Sequence, residues 1–396
     1  MDYKFSSKVL ALKPNAIREI LKSASDKDVI SLSAGNPAPD AFPIRAIREI
    51  SERILKETPV SVLQYGVSEG YAPFIAELKQ FVKERYGAIN YDDELIVVSG
   101  AQQVMDISAK TFLNEGDVII CESPSFVGSL NTFRSYNAEL VGVPVEQDGM
   151  NMEMLEKALK KNKNAKMIYT IPNFQNPSGT TMSLQKRKQL YDLAQKYDVM
   201  IIEDNPYGDL RYFGESIPCI KSFDTDGRVI YSGSFSKVVA PGIRVGFMVA
   251  NENAMKKMII CKQGQDVHTT MWSQMICYEF LKNYDFEAHV ENLCGIYRKK
   301  ASLCMELLDR YVVPTGITYR KIDGGLFIWC DMPKGHDMMS FCRELTKRKV
   351  CVVPGNAFLP QDGECNSFRI NFSTPTDEQL IKGIEIMGDF AKEYFR

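Results

Sequence analysis

From about Asp92 onward the chain alternates short apolar runs with longer amphipathic ones, and no other feature constrains its fold as strongly. The short runs are "ELIVVSG", "DVIICESP", "AKMIYTIP", "VMIIEDNP" and "RVIYSGSF", each rich in β-branched residues and too brief for a helix. Such runs fit parallel strands covered on both faces. The segments between them read as helices. "AQQVMDISAKTFLNEG" has Gly116 as its stop, and "SLQKRKQLYDLAQKYD" carries Leu184, Leu190, Leu193 and Ala194 at helical spacing. Strands alternating with helices predict an α/β domain, a mostly parallel sheet sandwiched by helices.

After about Glu287 the pattern changes. A helix, "VENLCGIYRKKASLCMELLDRY", leads into strand-like "ITYRKIDGGLFIWCDMP", helical "MMSFCRELTKRK", then "VCVVPGNAF" and "FRINFS", an α+β pattern that predicts a second, smaller domain. A chain of 396 residues is too long for one ordinary core, which agrees with two domains. The expected division is residues 1–40 as a lead-in packing on the smaller domain, 41–286 as the large domain and 287–396 as the small one. Within the lead-in, "NAIREILKSA" reads as a helix.

A formal net charge of -2 offers no excess of cations for a nucleic acid or an anionic membrane, so neither is an expected partner. No segment approaches the roughly 20 apolar residues of a membrane span, and the N-terminus has no cleavable leader pattern. The ten cysteines form no CxxC pair, several lie in apolar runs such as "LFIWC", and three scattered histidines show no ligand spacing. These features predict a cytoplasmic protein without a metal site. There is also no GxGxxG, GxxxxGK[ST], HExxH or GxSxG, so dinucleotide, P-loop, zinc-protease and serine-hydrolase chemistry lose support.

In open α/β sheets ligands bind beyond the carboxyl ends of the strands. Those ends carry Ser99 and Gly100, Glu122 and Ser123, Asn173 and Asn176, Asp204, Asn205 and Tyr207, and Ser234 with Lys237. Lys237 is the only charge between Arg228 and Arg244, and a lysine buried near cations loses enough basicity to attack a carbonyl. Asp204 can hold a heterocyclic nitrogen protonated, and Asn176 and Tyr207 can reach a phenolic oxygen on the same ring. Ser234, Ser236 and Arg244, with the backbone N–H groups of Ala101 and Gln102 at a helix start, suit a phosphate. Together they match pyridoxal 5'-phosphate.

"SGSFSKVVAPGIRVGF" resembles the lysine motif of the fold-type I, class I/II aminotransferases, in particular the kynurenine/2-aminoadipate aminotransferase subgroup. "SLSAGNPAPDAFP", "LQYGVSEGY", "VSGAQQ", "PNFQNPSG", "EDNPYGDLRY", "GGLFIW", "VVPGNAF" and "FRINFS" follow the family's order along nearly the whole chain. The resemblance implies an aspartate aminotransferase-like fold. It makes Lys237 the lysine that joins the cofactor, Asp204 the partner of the ring nitrogen, and groups Tyr207 with them as catalytic. It places Tyr65 of "LQYG" on the neighbouring subunit's phosphate, hence a homodimer with shared active sites. Arg369 is matched to the arginine that clamps the substrate α-carboxylate, Gly35 to a backbone position beside it, and Arg18 to a side-chain reader. Phe126 falls where several relatives place a tyrosine over the ring, and stacking needs only its π face.

The implied reaction moves an amino group from an L-amino acid of aminoadipate, aromatic or branched-chain type to a 2-oxo acid such as 2-oxoglutarate, with Lys237 as base at the substrate Cα and then acid at the cofactor C4' carbon. Tyr65, Phe126 and Phe358 suit an aromatic or long aliphatic side chain. The rival readings are a carbon-sulfur lyase or decarboxylase using the same lysine and aspartate, and a non-enzymatic cofactor sensor fused to a DNA-binding module, for which the few residues ahead of "SLSAGNP" leave little room.

Overall fold

The computed structural model describes residues 1, 3–10, 12 and 28–396; the helix expected over "NAIREILKSA", with Arg18, lies outside them. The strands are β1 (Ile30–Ser31), β2 (Asp93–Val98), β3 (Val118–Ser123), β4 (Glu139–Glu146), β5 (Gly149–Met150), β6 (Ala165–Thr170), β7 (Met200–Asn205), β8 (Val229–Ser234) and β9 (Gly246–Asn251), followed by β10 (Thr318–Tyr319), β11 (Phe327–Asp331), β12 (Val350–Cys351), β13 (Val353–Pro354) and β14 (Ser367–Asn371).

Eight of them form one sheet in the order β2-β9-β8-β7-β6-β3-β4-β5. From β4 through β3, β6 and β7 to β8 every pairing is parallel. β9 runs antiparallel to both β8 and β2, so β2 still points the way of the parallel strands although it pairs only with β9. The five apolar runs read from the sequence are β2, β3, β6, β7 and β8, and their polar ends therefore share one rim.

Alternation along these strands explains why they are apolar throughout. Val118, Ile120, Ile168, Ile201 and Val229 pack on one face against Leu155, Leu190 and Ala194. Ile119, Cys121, Met167, Tyr169, Ile202 and Ile230 pack on the other against Val104, Met105, Leu130 and Phe133. Each fully buried aliphatic side chain stabilises the sheet by about 1.5–3 kcal/mol over an exposed one.

Two helix readings are corrected. The helix Ala101–Phe112 stops short of Gly116, which takes a left-handed φ of 82° in the following turn. The helix Leu184–Tyr197 turns Arg187, Leu190, Tyr191 and Ala194 inward and leaves Leu184 exposed. Arg187 is inside because its guanidinium satisfies backbone carbonyls, as described below.

The rest of the chain supplies an antiparallel sheet, β10-β11-β14-β13, and the parallel pair β1-β12, with helices Phe286–Leu307, Met338–Lys347 and Asp377–Tyr394. Ile328, Phe368 and Ile370 of this sheet join the same contiguous core as the inner face of the large sheet. Arg369 on β14 lies opposite Trp329 and Val353 in register.

Candidate active site

A cavity of about 380 Å³ opens where the parallel strands end. The loops after β2, β3, β6, β7 and β8 give its walls Ala101 and Gln102, Phe126, Asn176, Asp204 and Tyr207, and Ser234, Ser236 and Lys237. Ser33, Ala34 and Gly35 from the lead-in and Phe327 and Arg369 from the smaller sheet complete it.

Lys237 Nζ donates to the Gly35 carbonyl oxygen at 2.7 Å. Burial, with the Arg369 and Arg244 charges adding, pushes this amine down to about 8. Asp204, next to last in β7, is almost fully buried, and burial raises its carboxyl to about 6. Its Oδ2 accepts from the Tyr169 hydroxyl at 2.9 Å, and that hydroxyl accepts from Ser129 Oγ at 2.9 Å. Asp204 Oδ1 is buried with no partner; the Ser232 hydroxyl lies near enough to favour the ionised form but outside hydrogen-bond geometry. An unbonded buried carboxylate oxygen is costly unless a bound group meets it.

The other end of the cavity is rich in donors. Gly100 opens the helix Ala101–Phe112 with φ 85°, and a Cβ there would lie 2.1 Å from Arg244 Nη2. The left-handed φ favours glycine here, and its missing Cβ leaves room for that guanidinium. The first N–H groups of a helix have no intrahelical partner, so those of Ala101 and Gln102 are available to an anion. Arg244 is anchored by donating to the carbonyl oxygens of Ser99 (3.1 Å) and Pro241 (3.2 Å), and Ser234 Oγ accepts from Ser236 N at 3.1 Å.

At the side facing the smaller sheet, Arg369 is buried. It donates to Asn176 Oδ1 and to the Ser33 carbonyl oxygen, both at 2.8 Å. Its guanidinium lies 4.1 Å from the Phe327 ring centroid and 4.9 Å from that of Phe358, and its Nε has no partner. Asn176 Nδ2 reaches the Tyr207 hydroxyl at 3.5 Å.

Lys237, Asp204, Tyr207, Asn176, Phe126, Ala101, Gln102, Ser234, Ser236, Arg244, Gly35 and Arg369 are thus brought together, although Ala101 and Phe327 are more than 200 residues apart in sequence. Tyr65 is 81% exposed and outside its own chain's cavity, with its ring edge-on to His268. Phe358 is fully buried behind Arg369 instead of lining the cavity, and Arg18 lies outside the described residues. The Gln102 amide is spent on Gly128 and Thr132, leaving its backbone for an anion. Sequence reasoning missed Tyr169 and Ser129, because a tyrosine within "AKMIYTIP" reads as one more strand residue. The signal was Asp204 itself, since a carboxylate at a buried strand end requires a donor.

A lysine of lowered basicity, a carboxylate with a free buried oxygen and a donor-rich cup fit a phosphorylated heteroaromatic aldehyde, and this fold and site define a pyridoxal-phosphate enzyme. Residues 27–386 match the family model for aminotransferase class I and II. The chain is 37% identical to aromatic-amino-acid aminotransferase 1 of Thermococcus litoralis, covering 99% of this chain and 95% of that one. It is 36% identical to 2-aminoadipate transaminase of Thermus thermophilus, covering 96% and 94%. It superposes on the Pyrococcus horikoshii kynurenine aminotransferase solved in complex with PMP with a TM-score of 0.95 at 36% identity, covering 98% and 97%. The chain belongs to the class I and II aminotransferases, and its cofactor is pyridoxal 5'-phosphate. Among the described residues no helix is long and apolar enough to cross a membrane.

Proposed function

We propose that this aminotransferase moves the amino group of an L-amino acid of aminoadipate, aromatic or branched-chain type to a 2-oxo acid such as 2-oxoglutarate. The observation that carries the reading is the trio of Lys237, Asp204 and Arg369 on one cavity. The relatives' substrates named above indicate the donor class, and the Phe126 and Phe327 rings give the cavity apolar surface for such side chains.

When bound, pyridoxal phosphate supplies an electron sink for the electron pair left on the substrate Cα. Asp204 Oδ1 would accept from the ring N–H, since its other carboxylate oxygen is already occupied by Tyr169. Tyr207 and Asn176 would receive the ring oxygen, Phe126 would stack on the ring, and Ser234, Ser236, Arg244 and the Ala101 and Gln102 N–H groups would hold the phosphate. Arg369 takes the α-carboxylate with Nη1 and Nη2, beside the Gly35 backbone. Lys237 Nζ, which donates to the Gly35 carbonyl in the cofactor-free site, is the amine that would join the cofactor and, once substrate frees it, take the proton from Cα. Its lowered basicity leaves a useful neutral fraction near neutral pH.

Tyr65 and its exposed neighbours Val60, Leu63 and Val67, with Trp272, support a homodimer in which Tyr65 reaches the partner's phosphate. Large apolar side chains left exposed along one short stretch of chain suit an association surface. Residues 1–40, 41–286 and 287–396 then act as lead-in, cofactor domain and small domain, in a cytoplasmic enzyme. The test is a panel of amino acids assayed with 2-oxoglutarate. Aminoadipate, aromatic or branched-chain donors should give the highest kcat/KM, and turnover should require the 2-oxo acid. Turnover without any 2-oxo acid would instead indicate a lyase or decarboxylase.

A further inference from the structure

Glu122, next to last in β3, is 1% exposed and outside the cavity wall, and no role described above uses it. Its carboxylate nevertheless accepts three hydrogen bonds: from Thr170 Oγ1 at 2.8 Å, from Ile171 N at 3.1 Å and from Gln175 Nε2 at 3.1 Å. Gln175 is the hub of the next turn. Its amide nitrogen also donates to the Pro124 carbonyl oxygen at 2.7 Å, while its Oε1 accepts from Ser178 N at 2.8 Å and Ser178 Oγ at 2.6 Å. Its backbone N donates to the Thr180 oxygen at 2.9 Å, and its carbonyl accepts from Gly179 N at 2.6 Å. Asn176 is the residue after Gln175, and it is Asn176 Oδ1 that receives Arg369. Burial pushes the Glu122 carboxyl up to about 7 against these three donors. A carboxyl kept at that cost, one loop away from a binding arginine, is a signature of function more than of packing.

We propose that Glu122 is a positioning residue for substrate: acting through Gln175, it sets the loop so that Asn176 orients Arg369 for the substrate carboxylate. The inference rests on the reading of Arg369 as the carboxylate clamp. What Glu122 supplies is acceptor geometry. A glutamine at this position can keep its carbonyl oxygen toward Ile171 and Gln175 while the Thr170 hydroxyl rotates to accept from the new amide. A leucine leaves the Ile171 and Gln175 donors buried and unpaired.

The test uses the holoenzyme and four variants, Glu122→Leu, Glu122→Gln, Ser178→Ala and Arg369→Met. Glu122→Leu should raise KM for both amino acid and 2-oxo acid by about tenfold with kcat within about threefold, and Glu122→Gln should restore KM to within about twofold of the original. Cofactor affinity of the cofactor-free protein, measured by fluorescence titration, should change by less than about threefold in both, because the phosphate cup, Asp204 and Tyr207 are untouched and only Asn176 among the ring contacts lies on the loop. Amide exchange should quicken over residues 171–182 in Glu122→Leu alone. Ser178→Ala removes one small buried donor and keeps the test alive if Glu122→Leu fails to fold; its KM should rise by about threefold at unchanged kcat. Unchanged KM in Ser178→Ala or Glu122→Leu, or a loss in Glu122→Leu that falls on kcat or cofactor affinity, overturns the proposal. Arg369→Met separates the two claims: if its KM is unchanged, the clamp reading fails; if it rises while the other variants hold theirs, the positioning role of Glu122 alone fails.

Discussion

Lys237 and Asp204 show how burial sets opposite groups to one task. Burial lowers the lysine to about 8 and raises the aspartate to about 6, so each sits nearer neutrality than in water. Only the neutral amine attacks an aldehyde, so the rate at which cofactor-free protein captures added pyridoxal phosphate should climb with pH and level off above about 8. A rate that is flat from pH 6 to 9, followed by absorbance of the bound cofactor, would contradict this. Asp204 carries a stability signature as well. Its carboxyl holds a proton in the folded state that the unfolded chain releases near pH 4, so its contribution is complete below that pH and is lost as pH rises through about 6. In cofactor-free protein the urea midpoint of the wild type should therefore fall more between pH 4.5 and 7.5 than that of Asp204→Asn. In the loaded enzyme Asp204→Asn should lower kcat by on the order of 10²–10⁴-fold, since the ring nitrogen loses its anionic partner.

At the scale of elements, the strands with uninterrupted β-branched runs were legible and the others were not. β4 contains Pro144 and alternates buried with exposed residues, and β9 follows directly on the lysine loop, so neither stands out as an apolar run bounded by turns. β5 is only two residues long. The site was legible because five strand ends share a rim, a property that follows from parallel pairing alone. What supports the site was hidden, since Tyr169, Glu122 and Arg187 each act across elements. Arg187 is the clearest case. It sits fully buried on a helix face that reads as apolar, and donates to the carbonyl oxygens of Met182, Pro172, Ile217 and Pro218 and to Asn173 Oδ1. Arg187 thereby closes the neck of the Asn176 loop. Arg187→Met should leave several of these acceptors unpaired and cost about 3 kcal/mol in urea unfolding of the cofactor-free protein. A loss below about 0.5 kcal/mol, the range of a neutral surface change, would contradict that role.

For the whole molecule, the large sheet supplies the cofactor end of the cavity and the smaller sheet supplies Arg369 and Phe327, so the site exists only where the two meet. In the proposed homodimer Tyr65 would extend the same logic to a second copy of the chain. Tyr65→Phe should weaken cofactor affinity by about tenfold without changing the sedimentation of the proposed dimer, because it removes one hydroxyl from the phosphate and little apolar area. Unaltered affinity would detach Tyr65 from the partner's site. The proposed chemistry requires one amine to meet one aldehyde beside one carboxylate. Borohydride reduction of the holoenzyme followed by peptide mass analysis tests this directly. A phosphopyridoxyl mass is expected on the peptide bearing Lys237, absent after Lys237→Ala together with at least about 10⁴-fold of the turnover. The label on any other lysine, or turnover that survives Lys237→Ala, would contradict it.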